Sequence, residues 1–227
     1  MIHRYEIDSS APSRSDFWHD LGRRAALPGL AVLAALVAIG FLITGPLGGL
    51  PGEAGINEVL ADARTPFLDQ ATFLVSLVGN TEFVIGLGAL VIGLVWWRTR
   101  EWWFAIIPGI AVALQAVIFM ASAAVVGRER PDVEQLDHAP PTSSFPSGHT
   151  GAAAAIYLSL ALMAQRIPNP ALRVFVTVLC LLMPFAMGFS RLYRGMHSMT
   201  DVVFGFLNGA ICAYLAWNYL RREPARN

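Results

Sequence analysis

Residues 104–126 read FAIIPGIAVALQAVIFMASAAVV, 23 positions without a formal charge. A helix crosses the hydrocarbon core of a bilayer with about 20 mainly apolar residues. This run alone therefore predicts a transmembrane helix. Working outward, four further runs qualify: 25–44, 83–97, 171–189 and 202–220. A sixth, 149–165, is shorter and rich in Ala. The whole chain agrees, being 227 residues long, 55% hydrophobic and only 14% charged, with a mean hydropathy of +0.53. A soluble domain of this size carries more charge. The predicted fold is all-α, a polytopic membrane protein of six transmembrane helices in one domain over 25–220. A segment of 1–24 precedes it and a tail of 221–227 follows. The first run comes after a long polar stretch and has no small-residue cleavage site, so it reads as a retained helix. Between the first and second runs, Ile56, Val59, Leu60 and Ala63 share one helical face, as do Phe67, Ala71, Leu74, Val75 and Val78. These predict two short helices lying in the membrane interface, with a break at Gly79-Asn80. A plain soluble loop is the other reading of 56–78.

The basic residues give an orientation. All 16 are Arg. With six spans both termini share one side, which then holds Arg4, Arg14, Arg23, Arg24, Arg98, Arg100, Arg166, Arg173, Arg221, Arg222 and Arg226. The other side holds Arg64, Arg128, Arg130, Arg191 and Arg194. Eleven against five places the termini in the cytoplasm of a plasma-membrane protein. A net charge of zero gives no reason to expect a nucleic-acid partner. Cys180 and Cys212 fall inside predicted spans and read as small apolar side chains. Nothing in the sequence sets an oligomeric state.

Three short stretches carry chemistry, and all fall on the outer side. His197 and Asp201 are four apart where the last span begins, a spacing that puts both on one helical face. A carboxylate there can orient an imidazole for nucleophilic attack; it can equally be an Asp favoured by the helix dipole. Pro146-Ser147-Gly148-His149 opens the fourth span. Free N–H groups at a helix start bind anions, Gly148 permits close approach, and Ser147 adds a hydroxyl. His149 can stand over a leaving oxygen as general acid. A Ser N-cap explains the same residues without chemistry. Arg130 and Arg191, from separate connections, have the fork geometry that suits phosphoryl oxygens. Lipid headgroups at the interface would use them too. Arg128 and Arg194 read either as interfacial Arg contacting headgroups or as supports behind the set. Asp132, Glu134, Asp137 and His138 lack the spacing of a ligand cluster and read as solvated loop residues, so no metal is expected.

Taken together, these stretches resemble the signature of the type 2 phosphatidic acid phosphatase superfamily, which includes bacterial polyprenyl pyrophosphate phosphatases and the soluble vanadium haloperoxidases. The Pro-Ser-Gly-His motif matches residues 146–149. Ser190, Arg191, His197 and Asp201 match the third motif. The first motif, Lys then six residues then Arg-Pro, is met at Arg130-Pro131, but its Lys position is Ala123. The resemblance spans roughly residues 65–220. It implies that His197 attacks phosphorus, that Asp201 orients it, and that His149 protonates the leaving group. It implies a phosphate cage of Arg130, Arg191, Ser147 and Gly148, with no cofactor. Arg128 is the candidate to replace the charge missing at Ala123.

The expected function is hydrolysis of a lipid phosphate, monoester or diphosphate, at the outer leaflet through a phosphohistidine. Two alternatives stay open. One is a phosphotransferase using the same intermediate. The other is a non-catalytic lipid-phosphate binder with a decayed first motif. A haloperoxidase has no use for six spans.

Overall fold

The computed structural model describes residues 4–139 and 142–221. Arg222, Arg226 and most of the predicted tail lie outside those residues, as do Pro140 and Pro141. Helices make up the described residues, and no strand occurs among them. A four-residue helix, α1 (Arg4–Ile7), is followed by α2 (Arg14–Leu21). A π-type segment, Gly22–Ala26, joins α2 to α3 (Leu27–Thr44) without a break. The first long helix therefore starts at Arg14, earlier than the apolar run at 25. Ser13 caps it by accepting a hydrogen bond from the Asp16 amide, and helix formation needs no apolarity once a cap is present. The preceding segment also packs onto the core. Tyr5 and Phe17 are buried, and the Tyr5 hydroxyl donates to the Trp217 carbonyl at 3.1 Å.

Two short helices fill the connection to the second span, as the periodicity predicts: α4 (Ala54–Asp62) and α5 (Pro66–Leu77). Their orientation is the reverse of a water-soluble helix. Val59 is 67% exposed and Phe67 79%, while Asn57, Thr72 and Ser76 are buried. In a bilayer the solvent is apolar, so apolar residues face out and polar ones must find partners inside. The Asn57 amide donates to the His197 carbonyl at 3.0 Å, and Ser190 donates to the Thr72 carbonyl at 2.8 Å. These helices therefore brace the segment that carries His197.

The remaining long helices are α6 (Thr81–Thr99), α8 (Ile107–Val126), α9 (Gly148–Met163), α10 (Pro170–Tyr193) and α11 (Met199–Trp217), with the single turn α7 (Trp102–Ala105) before α8. Among the described residues five helices are long and apolar enough to cross a membrane: 14–44, α6, 102–126, α10 and α11. Of the six predicted spans, α9 is the exception. It is 16 residues long, about 24 Å at 1.5 Å per residue, and a 3-10 turn, Ala164–Arg166, extends it. It is also the most enclosed, packed against α8, α10 and α11, with Ala153, Ala154, Ala155 and Ile156 fully buried. Its small residues allow that. A Cβ on Gly209 of α11 would sit 2.2 Å from the Gly151 carbonyl of α9. The two backbones touch there, and no larger residue fits. This contact fixes the start of α9 beside the start of α11, where the chemistry-bearing motifs lie.

Candidate active site

Ser147 is the N-cap of α9, and its hydroxyl oxygen faces the Thr150 amide and hydroxyl. It is fully buried and does not line the cavity described below. In this structure the helix start takes the hydroxyl that the resemblance places in the phosphate cage. The Ser147 amide donates to the Asp201 carbonyl at 2.9 Å, tying the second motif to the third. Gly148 follows with its Cα against the Phe119 ring, where a Cβ would approach within 2.7 Å.

The third motif is folded differently from the spacing argument. Helix α11 begins at Met199, with Ser198 as N-cap and Asp201 at the third helical position in a capping box. His197 thus precedes the helix and does not share its face. Its Nδ1 lies 3.8 Å from an Asp201 oxygen, beyond a hydrogen bond, and 2.9 Å from the Ser144 carbonyl. The direct partner that places a proton on Nδ1 and leaves Nε2 free is a backbone carbonyl. Asp201 acts alongside as a buried negative charge. Burial pushes the His197 imidazole below its ordinary pKa, and Asp201 opposes that only in part.

Asp201 is fully buried and heavily partnered. It accepts from Arg128 Nη1 at 2.6 Å, from the Ser144 hydroxyl at 2.5 Å and from the Ser198 amide at 2.9 Å. Arg128 also donates to the Gly49 carbonyl at 2.8 Å and pairs with Glu53 at 3.2 Å. Glu53 in turn accepts from the Thr200 amide and hydroxyl. The hydrogen-bond partners of the Arg128 guanidinium are thus all protein groups, and it does not line the cavity described below, although it lines a neighbouring pocket of about 440 Å³ together with Arg130. The structure gives the guanidinium expected to replace the missing Lys charge a buried carboxylate partner. Ala123 is buried in α8 and lines no part of the cavity either.

Arg191 sits in the last turn of α10, and not in a loop. One terminal nitrogen, Nη1, contacts Ser76 and lies 2.8 Å from Asp137. Its Nε is buried and has no partner. Asp137 is held by two guanidinium nitrogens of Arg194, Nε at 2.9 Å and Nη2 at 2.6 Å. It is thus an ion-paired anchor and not the solvated residue expected from sequence. Burial would raise its carboxyl pKa, but Arg194 and Arg191 hold it below the usual carboxylate range. Arg130 is half-buried and donates to the Met196 carbonyl at 2.7 Å. His149 Nε2 lies 3.0 Å from Asn80 Oδ1. Asn80 occupies the N-cap position of α6 but makes no capping bond; its side chain turns to His149.

A cavity of about 460 Å³ is lined by Arg130, Gly148, His149, Arg191 and His197. Val84, Ile85, Val112, Ala116, Phe119 and Met120 line it as well. Ile85 and Met120 are about 60% exposed, so the apolar part of the lining reaches the surface of α6 and α8. The guanidiniums can hold phosphoryl oxygens bidentately, one imidazole presents a free nitrogen, and the apolar part accepts a hydrocarbon chain. Glu53, Asn80 and Ser144 escaped the sequence reading. For Asn80 a signal existed, since a Gly-Asn break before a span is a capping position. Ser144 and Glu53 lie in connections where no spacing links them to Asp201. A larger pocket of about 730 Å³ lies among Asp16, Arg23, Arg24 and Arg221. It is at the far end of α11 and holds none of these groups.

Comparison with known proteins agrees with the motifs. Residues 102–224 match the model of the PAP2 superfamily. Phosphatidylglycerophosphatase B of Bacillus subtilis is 26% identical over 165 residues, covering 72% of this chain and 80% of that protein. The crystal structure of a transmembrane PAP2-type phosphatidylglycerolphosphate phosphatase from Bacillus subtilis superposes with a TM-score of 0.71 at 22% identity, covering 84% of this chain and 93% of the other. Aquifex aeolicus LpxE superposes with a TM-score of 0.57 at 23% identity, covering 72% and 93%. The chain belongs to the PAP2 superfamily and has the fold of its transmembrane members.

The structural place of Arg128 is testable. Removing one partner of a buried ion pair costs about 3–5 kcal/mol. Arg128→Ala should lower the melting temperature of the purified protein markedly, with KM for a lipid phosphate unchanged in whatever fraction stays folded. A variant of normal stability with a raised KM would return Arg128 to the phosphate cage.

Proposed function

We propose that this protein hydrolyses a lipid phosphate through a phosphohistidine. One observation carries the reading: two His and two Arg line a single cavity together with apolar side chains of α6 and α8, of which Ile85 and Met120 are exposed. A free phosphate ester needs no such apolar wall, and a purely apolar ligand needs no such polar groups. In the proposed reaction Arg130, Arg191 and the Gly148 amide hold the phosphoryl oxygens. His197 Nε2 attacks phosphorus, and the bond from phosphorus to the leaving oxygen breaks. His149 gives that oxygen a proton. Water then attacks the phosphohistidine and yields its proton to His149, and the P–N bond breaks to release inorganic phosphate. Asp201 stabilises the positive charge that develops on His197, as an orienting carboxylate does. The guanidiniums supply the charge that a metal would otherwise supply. The two Bacillus subtilis relatives are named for phosphatidylglycerol phosphate, which makes a glycerophospholipid the first substrate to assay. By the Arg distribution, the polar groups face the periplasm or cell exterior, and α9 with its terminal turn makes the sixth crossing.

Purified protein should release phosphate from lipid phosphates, with no loss in EDTA and with inhibition by vanadate. His197→Ala should abolish release, since no other group can form the covalent intermediate. Normal turnover in that variant sinks the mechanism, as does activity lost in EDTA and restored by Mg²⁺. Phosphate transferred to an added alcohol in preference to water would favour the phosphotransferase.

The pH profile follows from His197, which must be neutral to attack. Its pKa is lowered, so the neutral form persists as pH falls past the ordinary imidazole value of about 6.5. The acid limb of kcat/KM should lie below that value. Asp201 raises the His197 pKa, so Asp201→Asn should move the limb to still lower pH while reducing the rate. A limb that stays in place or moves to higher pH speaks against His197 as the titrating group.

Orientation has its own measurement. Asp132 and Thr99 are exposed at opposite ends of the bundle. Asp132→Cys should react with an impermeant thiol reagent added to intact cells, and Thr99→Cys only after permeabilisation. The reverse pattern would put the site in the cytoplasm.

A further inference from the structure

Asn80 stands at the N-cap position of α6, where a side-chain oxygen ordinarily accepts a hydrogen bond from an amide of the first turn. It makes no such bond. Its Oδ1 lies instead 3.0 Å from His149 Nε2. An Asn that leaves its own helix start uncapped forgoes the stability a cap confers, so the contact with the imidazole is not a by-product of capping. The chain before it is shaped to allow the contact. A Cβ added to Gly79 would lie 3.5 Å from His149 Cδ2 and would collide with the Met187 side chain. Gly at 79 is what lets α6 begin this close to the ring.

The two residues differ in what they face. His149 lines the cavity that also holds Arg130, Arg191 and His197. Asn80 is absent from that lining. It lines a smaller pocket of about 220 Å³ that shares His149 and Arg191 with the cavity. Asn80 therefore reaches the imidazole without reaching a ligand in the cavity. The other ring nitrogen, Nδ1, has no hydrogen-bond partner among the described residues and, unlike Arg191 Nε, is not sealed from the surface. The partner of one ring nitrogen sets what the other can do. An amide oxygen can only accept, so it keeps a proton on Nε2. Nδ1 then carries the proton that goes to the leaving oxygen, and its emptied lone pair takes the proton of the attacking water. Without an acceptor the neutral ring divides between two tautomers, and the one with its proton on Nδ1 cannot serve as base.

We propose that Asn80 is a positioning residue for the general acid, holding a proton of His149 on Nε2 so that Nδ1 serves first the leaving oxygen and then the water. This rests on the phosphatase reading above.

A general acid matters most where the leaving group is poor. The experiment therefore compares two amphiphilic esters in one detergent: dioleoyl phosphatidic acid, whose alkoxide needs a proton to leave, and 4-dodecylphenyl phosphate, whose phenolate leaves readily without one. The readout is the ratio of kcat/KM for the alkyl ester to that for the aryl ester, in the parent, Asn80→Ser and Asn80→Asp. Ser and Asp both cap helices, so the start of α6 is kept. Ser is too short to reach His149, while Asp keeps an acceptor in place. Repulsion of substrate by the Asp charge acts on both esters and cancels in the ratio. Asn80→Ser should lower the ratio about tenfold, part of the roughly 10²–10⁴ that a general acid contributes, and Asn80→Asp should keep it near the parent value. A ratio unchanged or raised in Asn80→Ser overturns the proposal. So does a fall in Asn80→Asp as large as that in Asn80→Ser, which would make Asn80 a donor. Failure of both variants to fold also overturns it, by showing that Asn80 holds the start of α6. Phosphate released from neither ester by the parent overturns the phosphatase reading, and this inference with it. A parent active on both, with a ratio that Asn80→Ser does not move, overturns this inference alone.

Discussion

The carboxylate of Asp201 is the constraint around which the outer end of this molecule is built. It is fully buried among helices whose surroundings are hydrocarbon. A charge so placed is tolerable only when paired and hydrogen-bonded. The pairing recruits distant pieces of chain: Arg128 from the end of α8, Ser144 from the long connection, and the Ser198 amide at the start of its own helix. Glu53, ahead of α4, joins through Arg128. Each partner draws its segment inward, and His197 sits where they converge. The Ser144 residue that donates to Asp201 through its hydroxyl also accepts from His197 through its carbonyl. Carboxylate and imidazole are thus linked through one residue as well as through space.

This explains what was legible in the sequence and what was not. Spans are read from hydropathy, which works because a bilayer leaves the backbone few other choices. Five long helices appear where the apolar runs lie. The motifs also brought together Arg130, Gly148, His149, Arg191 and His197, which line one cavity. The failures are of two kinds. A four-residue spacing was read as a shared helical face, but His197 lies before the helix begins. And the resemblance sets Arg128 beside phosphate, whereas in the structure it pairs with Asp201 and Glu53. Spacing along a chain cannot reveal a pairing between residues 73 apart, and a buried charge claims its counter-ion before any ligand can.

The short helices α4 and α5 show how the membrane as solvent alters the reading. Their apolar stripes were recognised, and in water such stripes would face the protein. Here the polar positions face inward, where Asn57, Thr72 and Ser76 meet the backbone and side chains of the third motif. The polar face of an interfacial helix becomes a scaffold for an active site, while its apolar face supplies the anchorage. Amphipathic periodicity identifies such a helix and leaves undecided which face the protein uses.

The absence of a Lys at position 123 then becomes a question of charge balance. With Arg128 committed to Asp201 and Glu53, the guanidiniums at the cavity are Arg130 and Arg191. Asp137 would cancel one of them if it paired with Arg191 alone. It does not, because Arg194 contacts both of its oxygens, through Nε and Nη2. Arg191 meets Asp137 only through Nη1, so its Nε edge stays unpartnered. Arg191, Arg194 and Asp137 together retain one positive charge, and Arg130 adds a second. Two net charges can face a phosphoryl dianion, provided Arg194 keeps hold of Asp137. In the proposed reaction the electrostatic capacity of the phosphate-binding end therefore depends on Arg194, a residue outside the cavity lining.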